Sequence, residues 1–415
     1  MTRDPVPTDG GARRDPAGAR GDGAPSTGTA PLERPTASER TVARDASAAL
    51  PDSVPILVVG AGQAGLSVGY HLLRRGLEPA GDFLIVDRGP GAGGAWQHRW
   101  DTLRLGDAHR IADLPGMGET GRSFDSAPTE PPAAVVVGDY YARYEDAFAL
   151  DVARPVDVTD VRTDADGTFV VSTADARADV RTRVLVAAVG TWGSPRLPDV
   201  PGVEDFRGRQ IVTPEFRSPA DFAGLRVAIV GGGASALGFL REVSPVATGV
   251  RWFTRRPPAF SDPAKGLSED LGRESVRLQD EAARAGRELP SIVSTTGMPL
   301  TPRLRALRDA GLLERSPMFA RVVTDGVVHA DGTFEPFDAI IWAIGFHADL
   351  GPLRSLGLDA RRGVRVADGH ALDVPGLFLA GYGPQASTIS ANRGARRIAR
   401  DAQRYLSDGR WPPAR

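Results

Sequence analysis

The sequence has no cysteine in its 415 residues. Structural disulfides, thiolate metal ligands, cysteine nucleophiles and dithiol redox relays are therefore all excluded. The six histidines show no metal-ligand spacing, so we predict no metal site. Any redox chemistry must consequently depend on a bound organic cofactor.

An excess of one charge and long apolar runs are also lacking. The 50 basic residues nearly balance the 52 acidic ones, and a formal net charge of −2 gives no electrostatic basis for binding nucleic acid. No apolar run approaches the roughly 20 residues that span a bilayer, and no secretory signal is found. We therefore expect a cytoplasmic protein without a membrane span. Its oligomeric state is left open, with a homo-oligomer as one alternative.

Large aliphatic side chains are scarce in residues 1–52, which are rich in proline, glycine, alanine, serine, threonine and arginine. Such a segment buries too little apolar surface to offset the entropy lost on ordering. The sequence therefore predicts a disordered N-terminal extension.

A first βαβ unit follows this extension. An apolar strand at residues 54–59, a helix at 64–75 and a second strand at 83–87 surround the GxGxxG turn of Gly60, Gly62 and Gly65. The motif is weak alone, but between a strand and a helix it directs free N–H groups and the helix dipole toward a pyrophosphate. Asp87 ends the second strand, where a carboxylate accepts hydrogen bonds from an adenosine ribose.

A second unit repeats this pattern about 170 residues later, with strands at residues 225–230 and 249–254. Two arginines follow its second strand, where guanidinium groups suit a 2′-phosphate, so this unit is predicted to bind NADPH. The alternative is that both arginines are solvated surface residues. The predicted NADPH contacts are Gly231, Gly233, Ala234, Ser235, Ala236, Arg255 and Arg256.

Four further segments contribute to a family resemblance: 93–96 (GGAW), 189–192 (VGTW), 344–346 (IGF) and 381–385 (GYGPQ). With the two units, they resemble the class B flavoprotein monooxygenases, which include flavin-containing, YUCCA-type and Baeyer–Villiger enzymes. The resemblance covers residues from about 53 to the end. It implies an α/β fold with two Rossmann-like dinucleotide-binding domains. The implied FAD domain comprises residues 53–215 and 321–415, and the NADPH domain comprises the inserted residues 216–320.

The resemblance also implies a mechanism. NADPH reduces the flavin, which reacts with oxygen to give a C4a-(hydro)peroxide that oxygenates a small organic substrate. Gln385, Asp107 and Arg104 are the catalytic candidates, and residues 267–287 are either a substrate cap or scaffold. The predicted FAD contacts are Gly60, Gly62, Gln63, Ala64, Gly65, Asp87, Arg88, Gly94, Trp96, Gly381 and Gln385.

Two departures from the family keep other functions open. The fingerprint FxGxxxHxxx(Y/F) aligns with residues 206–216, so Val212 replaces its histidine, and Gly106 stands where flavin-containing monooxygenases carry an asparagine. One alternative is an NADPH-dependent flavin reductase or oxidase that passes electrons to a quinone, a protein or oxygen. Another is a non-catalytic flavin-binding redox sensor.

Overall fold

The computed structural model describes residues 50–108, 111–175, 179–261, 269–291 and 297–411. Of the predicted N-terminal extension, residues 1–49 lie outside these ranges. None of the helices within them is long and apolar enough to cross a membrane. The same ranges contain no group of three or more acidic or histidine side chains that could hold a metal ion.

The first helix lies close to its predicted position. A helix predicted at 64–75 is found at Gln63–Leu73, and the C-terminal helix begins after Ser387, whose hydroxyl accepts a hydrogen bond from the N–H of Ser390 at 3.2 Å. The described part of the chain forms six α-helices: α1 Gln63–Leu73, α2 Ala133–Ala147, α3 Ala234–Val243, α4 Glu269–Arg284, α5 Pro302–Asp309 and α6 Thr388–Asp408.

The strands form two main sheets and two small ones. Within the described ranges they are β1 Ser53–Val59, β2 Phe83–Val86, β3 Val158–Thr163, β4 Phe169–Thr173, β5 Val180–Ala187, β6 Arg209–Val212, β7 Arg226–Val230, β8 Gly249–Thr254, β9 Phe260–Ser261, β10 Met298–Pro299, β11 Arg315–Pro317, β12 Arg321–Val323, β13 Gly326–Val328, β14 Phe334–Pro336, β15 Ala339–Trp342, β16 Val366–Ala367, β17 His370–Ala371 and β18 Leu377–Leu379.

The first sheet carries the first glycine turn at its carboxyl edge. Strands β2, β1, β5 and β18 are parallel in that order, and Val58 lies opposite both Ile85 and Val186. Side chains of β1 alternate between two buried clusters, with Ile56 in the cluster covered by α1 and α6 and Leu57 in the other. Because both faces of the sheet are buried, β1 is apolar along most of its length.

The second sheet has five parallel strands in the order β11, β8, β7, β15, β6. Two of them, β6 and β15, fall within residues 53–215 and 321–415, which the sequence analysis assigned to the FAD domain. The predicted boundaries are therefore corrected: the second unit begins before residue 216 and extends beyond residue 320. Short apolar strands occur in both sheets, so the composition of β6 and β15 could not show to which unit they belong.

Two further segments connect the units. The antiparallel strands β12, β13 and β14 form a small sheet that packs on the second unit through Val322, Val327 and Phe253. Helix α4 lies between β9 and β10 in the chain, yet it packs against β16 and the Gly383–Gln385 turn of the first unit. The candidate cap segment therefore contacts the first unit.

Candidate active site

The first glycine turn joins β1 to α1 and excludes side chains. Gly60 has a φ of +104°, and a Cβ there would lie 2.4 Å from the carbonyl oxygen of Ala188. A Cβ at Gly65 would lie 1.8 Å from the carbonyl oxygen of Gly60, so α1 packs directly on the turn. Gly62 precedes α1 without a side-chain cap, which leaves the N–H groups of the first helical turn for an anion.

Two more glycines bring separate loops against this turn. Gly94 has a φ of +51°, and a Cβ there would lie 2.7 Å from the Cα of Gly62. A Cβ at Gly381, after β18, would lie 3.3 Å from the Cβ of Ala64. Trp96 is half-buried in the short 3-10 helix Gly94–His98. The turn is thus lined by backbone, as a pyrophosphate requires for close approach.

Asp87 is buried just after β2 and supports the turn. Its carboxylate accepts hydrogen bonds from the N–H of Ala61 at 2.7 Å and of Gly89 at 2.8 Å. Each carboxylate oxygen retains a lone pair, so Asp87 can still accept ribose hydroxyl groups. The neighbouring Arg88 pairs with Asp349 at 3.0 Å.

A buried ion pair that sequence reasoning missed lies beside Asp87. Arg154 donates to both carboxylate oxygens of Glu145, at 2.6 and 2.7 Å, and its Nε lies 3.9 Å from a carboxylate oxygen of Asp87. Burial raises the pKa of Glu145, and the hydrogen bonds and charge of Arg154 oppose that shift. In an arginine-rich chain, no local pattern distinguishes this pair before the fold brings it together.

Gln63 belongs to a hydrogen-bond network that ties α1 to α6. Its carboxamide accepts from the hydroxyl of Tyr141 at 2.8 Å and donates to Oδ1 of Asn392 at 2.9 Å. Asn392 also accepts from the hydroxyl of Ser67 at 2.8 Å and donates to the carbonyl oxygen of Asp113 at 2.6 Å. Sequence reasoning found Gln63 through its motif but missed Tyr141 and Asn392, which no motif marks.

The second glycine turn repeats the first between β7 and α3. Gly231 has a φ of +143°, and a Cβ there would lie 2.1 Å from a backbone carbonyl oxygen of the segment after β15. Gly233 precedes α3 without a side-chain cap, and Ala234 and Ser235 begin the helix. Ala236 is fully buried at the third motif position, so this turn accommodates a methyl group where the first requires glycine.

Three arginines lie near the end of β8. Arg255 and Arg256 are exposed, and neither forms an ion pair with an acidic residue of the described ranges. Arg315 on the neighbouring β11 donates to the carbonyl oxygen of Thr254 at 3.2 Å and to its hydroxyl oxygen at 3.3 Å. Sequence reasoning missed Arg315 because only the sheet pairing brings it to this edge. Unpaired guanidinium groups here suit a phosphate monoester.

Comparisons with known proteins agree with this geometry. Residues 57–281 match a family model described as pyridine nucleotide-disulphide oxidoreductase. A flavin-containing monooxygenase from Stenotrophomonas maltophilia is 34% identical, with a TM-score of 0.71 over 86% of this chain and 99% of that chain. The chain belongs to the class B flavoprotein monooxygenase superfamily.

Two further relatives differ from each other in activity. A Baeyer–Villiger monooxygenase from Streptomyces coelicolor is 25% identical over 83% of this chain and 74% of its own length. A ferredoxin–NADP reductase from a Nocardioides species is 26% identical over 81% of this chain and 91% of its own length. The predicted α/β fold, the enzyme class and the FAD and NADPH dependence of the family are confirmed. Because the chain has no cysteine, it cannot perform disulphide chemistry.

Among the catalytic candidates, Gln385 points into the protein interior. A Cβ at Gly394 would lie 2.3 Å from its Oε1, and one at Gly369 would lie 3.1 Å from its Nε2. Oε1 is buried and has no hydrogen-bond partner. The backbone of Gln385 lies three residues before the start of α6, but its side chain packs beneath that helix. Contact of this side chain with the flavin stays a prediction.

Asp107 forms ion pairs with the second unit. Its carboxylate is one-tenth exposed and pairs with Arg241 at 2.8 Å and with Arg303. Arg303 also donates to the carbonyl oxygen of Gly106, which occupies the family's asparagine position. Arg104 is exposed. The structure therefore gives Asp107 a connecting role, and the catalytic roles of Asp107 and Arg104 stay predictions.

Val212, which stands at the histidine position of the superfamily fingerprint, is the last residue of β6. It lines a groove of about 280 Å³ together with Ile211, Glu215 and Trp342. Strands β6, β15 and β7 end at one edge of the sheet, so the groove lies at the edge that carries the second glycine turn. A valine cannot exchange a proton, so the chemistry of that histidine is lost here.

Proposed function

We propose that this protein is an NADPH-dependent FAD monooxygenase that transfers one oxygen atom of dioxygen to a small organic substrate. The observation that carries the proposal is the pair of bare glycine turns, at residues 60–65 and 231–236, each at the carboxyl edge of its own parallel sheet. An enzyme that couples two dinucleotides needs two such turns, whereas hydrolases and lyases need neither.

The first turn suits FAD. Gly60, Gly62 and Gly94 leave room for the pyrophosphate, and the first N–H groups of α1, from Gln63 onward, are directed at it. Asp87 would accept hydrogen bonds from the adenosine ribose. Its contacts with two backbone N–H groups fix the orientation of its carboxylate.

The second turn suits NADPH. Gly231 and Gly233 repeat the backbone cradle, and the start of α3 provides N–H groups for a second pyrophosphate. Arg255 and Arg256 would bind the 2′-phosphate, because a guanidinium group can donate two parallel hydrogen bonds to phosphate oxygens. Their lack of described acidic partners leaves these donors available.

When bound, FAD accepts a hydride from NADPH and supplies the two electrons with which dioxygen is activated. The residues of the chain bind and orient the cofactors and exclude water. The start of α6 offers N–H groups and a helix dipole that stabilise nearby negative charge. No protein nucleophile is needed, and the only serine of α1, Ser67, already shares its hydroxyl proton between the carbonyl oxygen of Gln63 at 2.6 Å and Oδ1 of Asn392 at 2.8 Å.

A second candidate is a reductase that passes electrons from NADPH to a quinone, a protein or oxygen. Two observations favour it: Val212 replaces the fingerprint histidine, and a ferredoxin–NADP reductase is among the relatives. Neither observation affects the two cofactor turns, which both candidates use.

Measuring where the oxygen goes separates the two candidates. The FAD-loaded protein would be supplied with NADPH and ¹⁸O₂, with and without a panel of ketones, thioethers and keto acids. A monooxygenase incorporates ¹⁸O into a product and forms less than one hydrogen peroxide per NADPH consumed. If no compound of the panel gives an ¹⁸O-labelled product and one hydrogen peroxide forms per NADPH consumed, the proposal is contradicted and the reductase is favoured.

A further inference from the structure

Arg99 is a half-buried cation with no acidic partner among the residues that the structure describes. Its guanidinium carbon lies 3.9 Å from the ring centroid of Trp192 and 5.5 Å from that of Trp96. Its Nε is buried without a hydrogen-bond partner, and no acidic residue of the described ranges pairs with it. Burial lowers the pKa of Arg99 to about 10, which still leaves the side chain charged at neutral pH. Arg154, which is buried, differs because Glu145 neutralises it.

Arg99 lies where the two units meet. Trp96 belongs to the loop whose Gly94 touches the first glycine turn. Trp192 belongs to the linker at residues 188–201 and stacks, with centroids 5.5 Å apart, on Phe346 of the returning linker at residues 343–350. Hydride transfer requires the reactive ends of the two cofactors to meet between the units. A substrate must reach this same region.

Neighbouring residues make the region electropositive. Burial and then the positive charges of Arg88, Arg217 and Arg99 lower the pKa of His98, with only Asp87 opposing them. Arg217 donates to the carbonyl oxygen of Pro214 at 2.6 Å and forms no ion pair in the described part of the chain. Arg88 pairs with Asp349, but Arg99 and Arg217 have no acidic partner in the described ranges, and a region with unpaired positive charge attracts anions.

We propose that Arg99 binds the carboxylate of an organic-acid substrate; this inference rests on the proposed monooxygenase function. A guanidinium that is partly withdrawn from water and has no acidic partner in the described part of the chain is costly, and its planar donors match a carboxylate. The proposed function assigns the anionic groups of the cofactors to other partners, namely the two glycine turns and the arginines after β8. The substrate is the remaining anion for this position.

The test compares phenylpyruvate with phenylacetone, in which a methyl group replaces the carboxylate. Both are titrated into the oxidised, FAD-loaded protein while the flavin absorbance is recorded. We expect the protein to bind phenylpyruvate at least about 30-fold more tightly than phenylacetone. Arg99→Met should abolish this preference, and Arg99→Lys should restore part of it. Equal binding of the two compounds by the unsubstituted protein, including no binding of either, would overturn the inference.

Arg209→Met is the matched control. Arg209 also lies over an aromatic ring, 4.9 Å from the centroid of Phe222, but it already pairs with Asp221 at 3.2 Å. Its replacement should leave the preference for phenylpyruvate unchanged. Because these titrations measure binding and not turnover, failure of oxygen transfer would refute the proposed function without deciding this inference.

Two further titrations separate a substrate anion from the cofactors. The Arg99→Met apoprotein should bind FAD, and the holoprotein should bind 2′,5′-ADP, within about threefold of the unsubstituted protein. A 30-fold loss for either ligand would assign Arg99 to that cofactor and overturn the inference. Flavin content and circular dichroism show whether Arg99→Met folds, and Arg99→Lys provides the test if it does not.

Discussion

The indole N–H of Trp100 donates to both carboxylate oxygens of Glu242, at 3.0 and 2.9 Å. Trp100 belongs to a loop of the first unit, yet its ring packs on Phe216 and Phe239 of the second, with centroids 5.2 Å apart in both cases. Glu242 lies in the last turn of α3, and the first turn of that helix adjoins the second glycine turn. One helix therefore connects the proposed NADPH site to the FAD-side loop.

Replacing Glu242 with alanine should destabilise this connection. The variant leaves the donors of Trp100 and Thr102 without their acceptor, which we expect to cost about 1–3 kcal/mol of unfolding free energy. Urea unfolding at neutral pH measures the loss. Glu242→Gln keeps one acceptor oxygen and should lose less. An unchanged unfolding free energy in Glu242→Ala would show that these hydrogen bonds contribute no stability.

The Glu145–Arg154 pair should be far more sensitive than an exposed pair. Arg154→Met leaves Glu145 buried without a partner, so we expect a loss of about 3–5 kcal/mol in urea unfolding. Arg143→Met breaks the exposed i,i+4 pair with Asp139 and should cost less than about 1 kcal/mol. A double variant, Glu145→Leu with Arg154→Met, should recover part of the loss because Glu145 is no longer left as a buried charge without its partner. A double variant less stable than Arg154→Met would contradict this account.

Local patterns predicted the parts of the fold that are themselves local. The strand–glycine–helix order around Gly60 and Gly231 fixed both turns, because each is built from neighbouring residues. The membership of β6 and β15 depends instead on pairing between strands more than 100 residues apart, to which their short apolar sequences give no clue.

The same distinction between local sequence patterns and contacts made only on folding applies to the site. Sequence reasoning identified Asp87 from its place after a strand, but it missed Arg99, Arg154 and Asn392, which become distinctive only through burial and the lack or presence of a partner. It also anticipated the position of Gln385 but not the direction of its side chain, which the packing of α6 determines.

Gly94→Ala should weaken FAD binding. Its Cβ would lie 2.7 Å from the Cα of Gly62, so the loop must move away from the first glycine turn. We expect at least a tenfold rise in the FAD dissociation constant, measured by quenching of flavin fluorescence on titration into apoprotein. Gly121→Ala is the control, because Gly121 also has a positive φ, +72°, but nothing lies within 4 Å of the added Cβ. Unchanged FAD affinity in Gly94→Ala would contradict the proposed cradle.

Replacing both Arg255 and Arg256 with alanine should reduce the preference for NADPH over NADH. Each bidentate guanidinium–phosphate contact contributes a charge-assisted hydrogen bond pair, so we expect at least a tenfold weaker binding of 2′,5′-ADP by calorimetry. Binding of ADP, which lacks the 2′-phosphate, should change less than threefold. Arg315→Met should produce a smaller loss, since its contacts with Thr254 hold it at the strand. A double alanine variant that binds 2′,5′-ADP normally would remove both arginines from the phosphate site.

His71 should make the protein less stable in acid. Burial, and then the charge of Arg396, lower the pKa of His71 to about 4, whereas an unfolded chain binds the proton near pH 6.5. The unfolded state therefore holds more protons in this window, and the unfolding free energy falls as pH decreases from about 6.5 to 4. Urea unfolding across this range should show a shallower slope for His71→Gln, by at most one proton, or about 1.4 kcal/mol per pH unit. Identical slopes in the two proteins would mean that His71 takes up its proton equally in the folded and unfolded states.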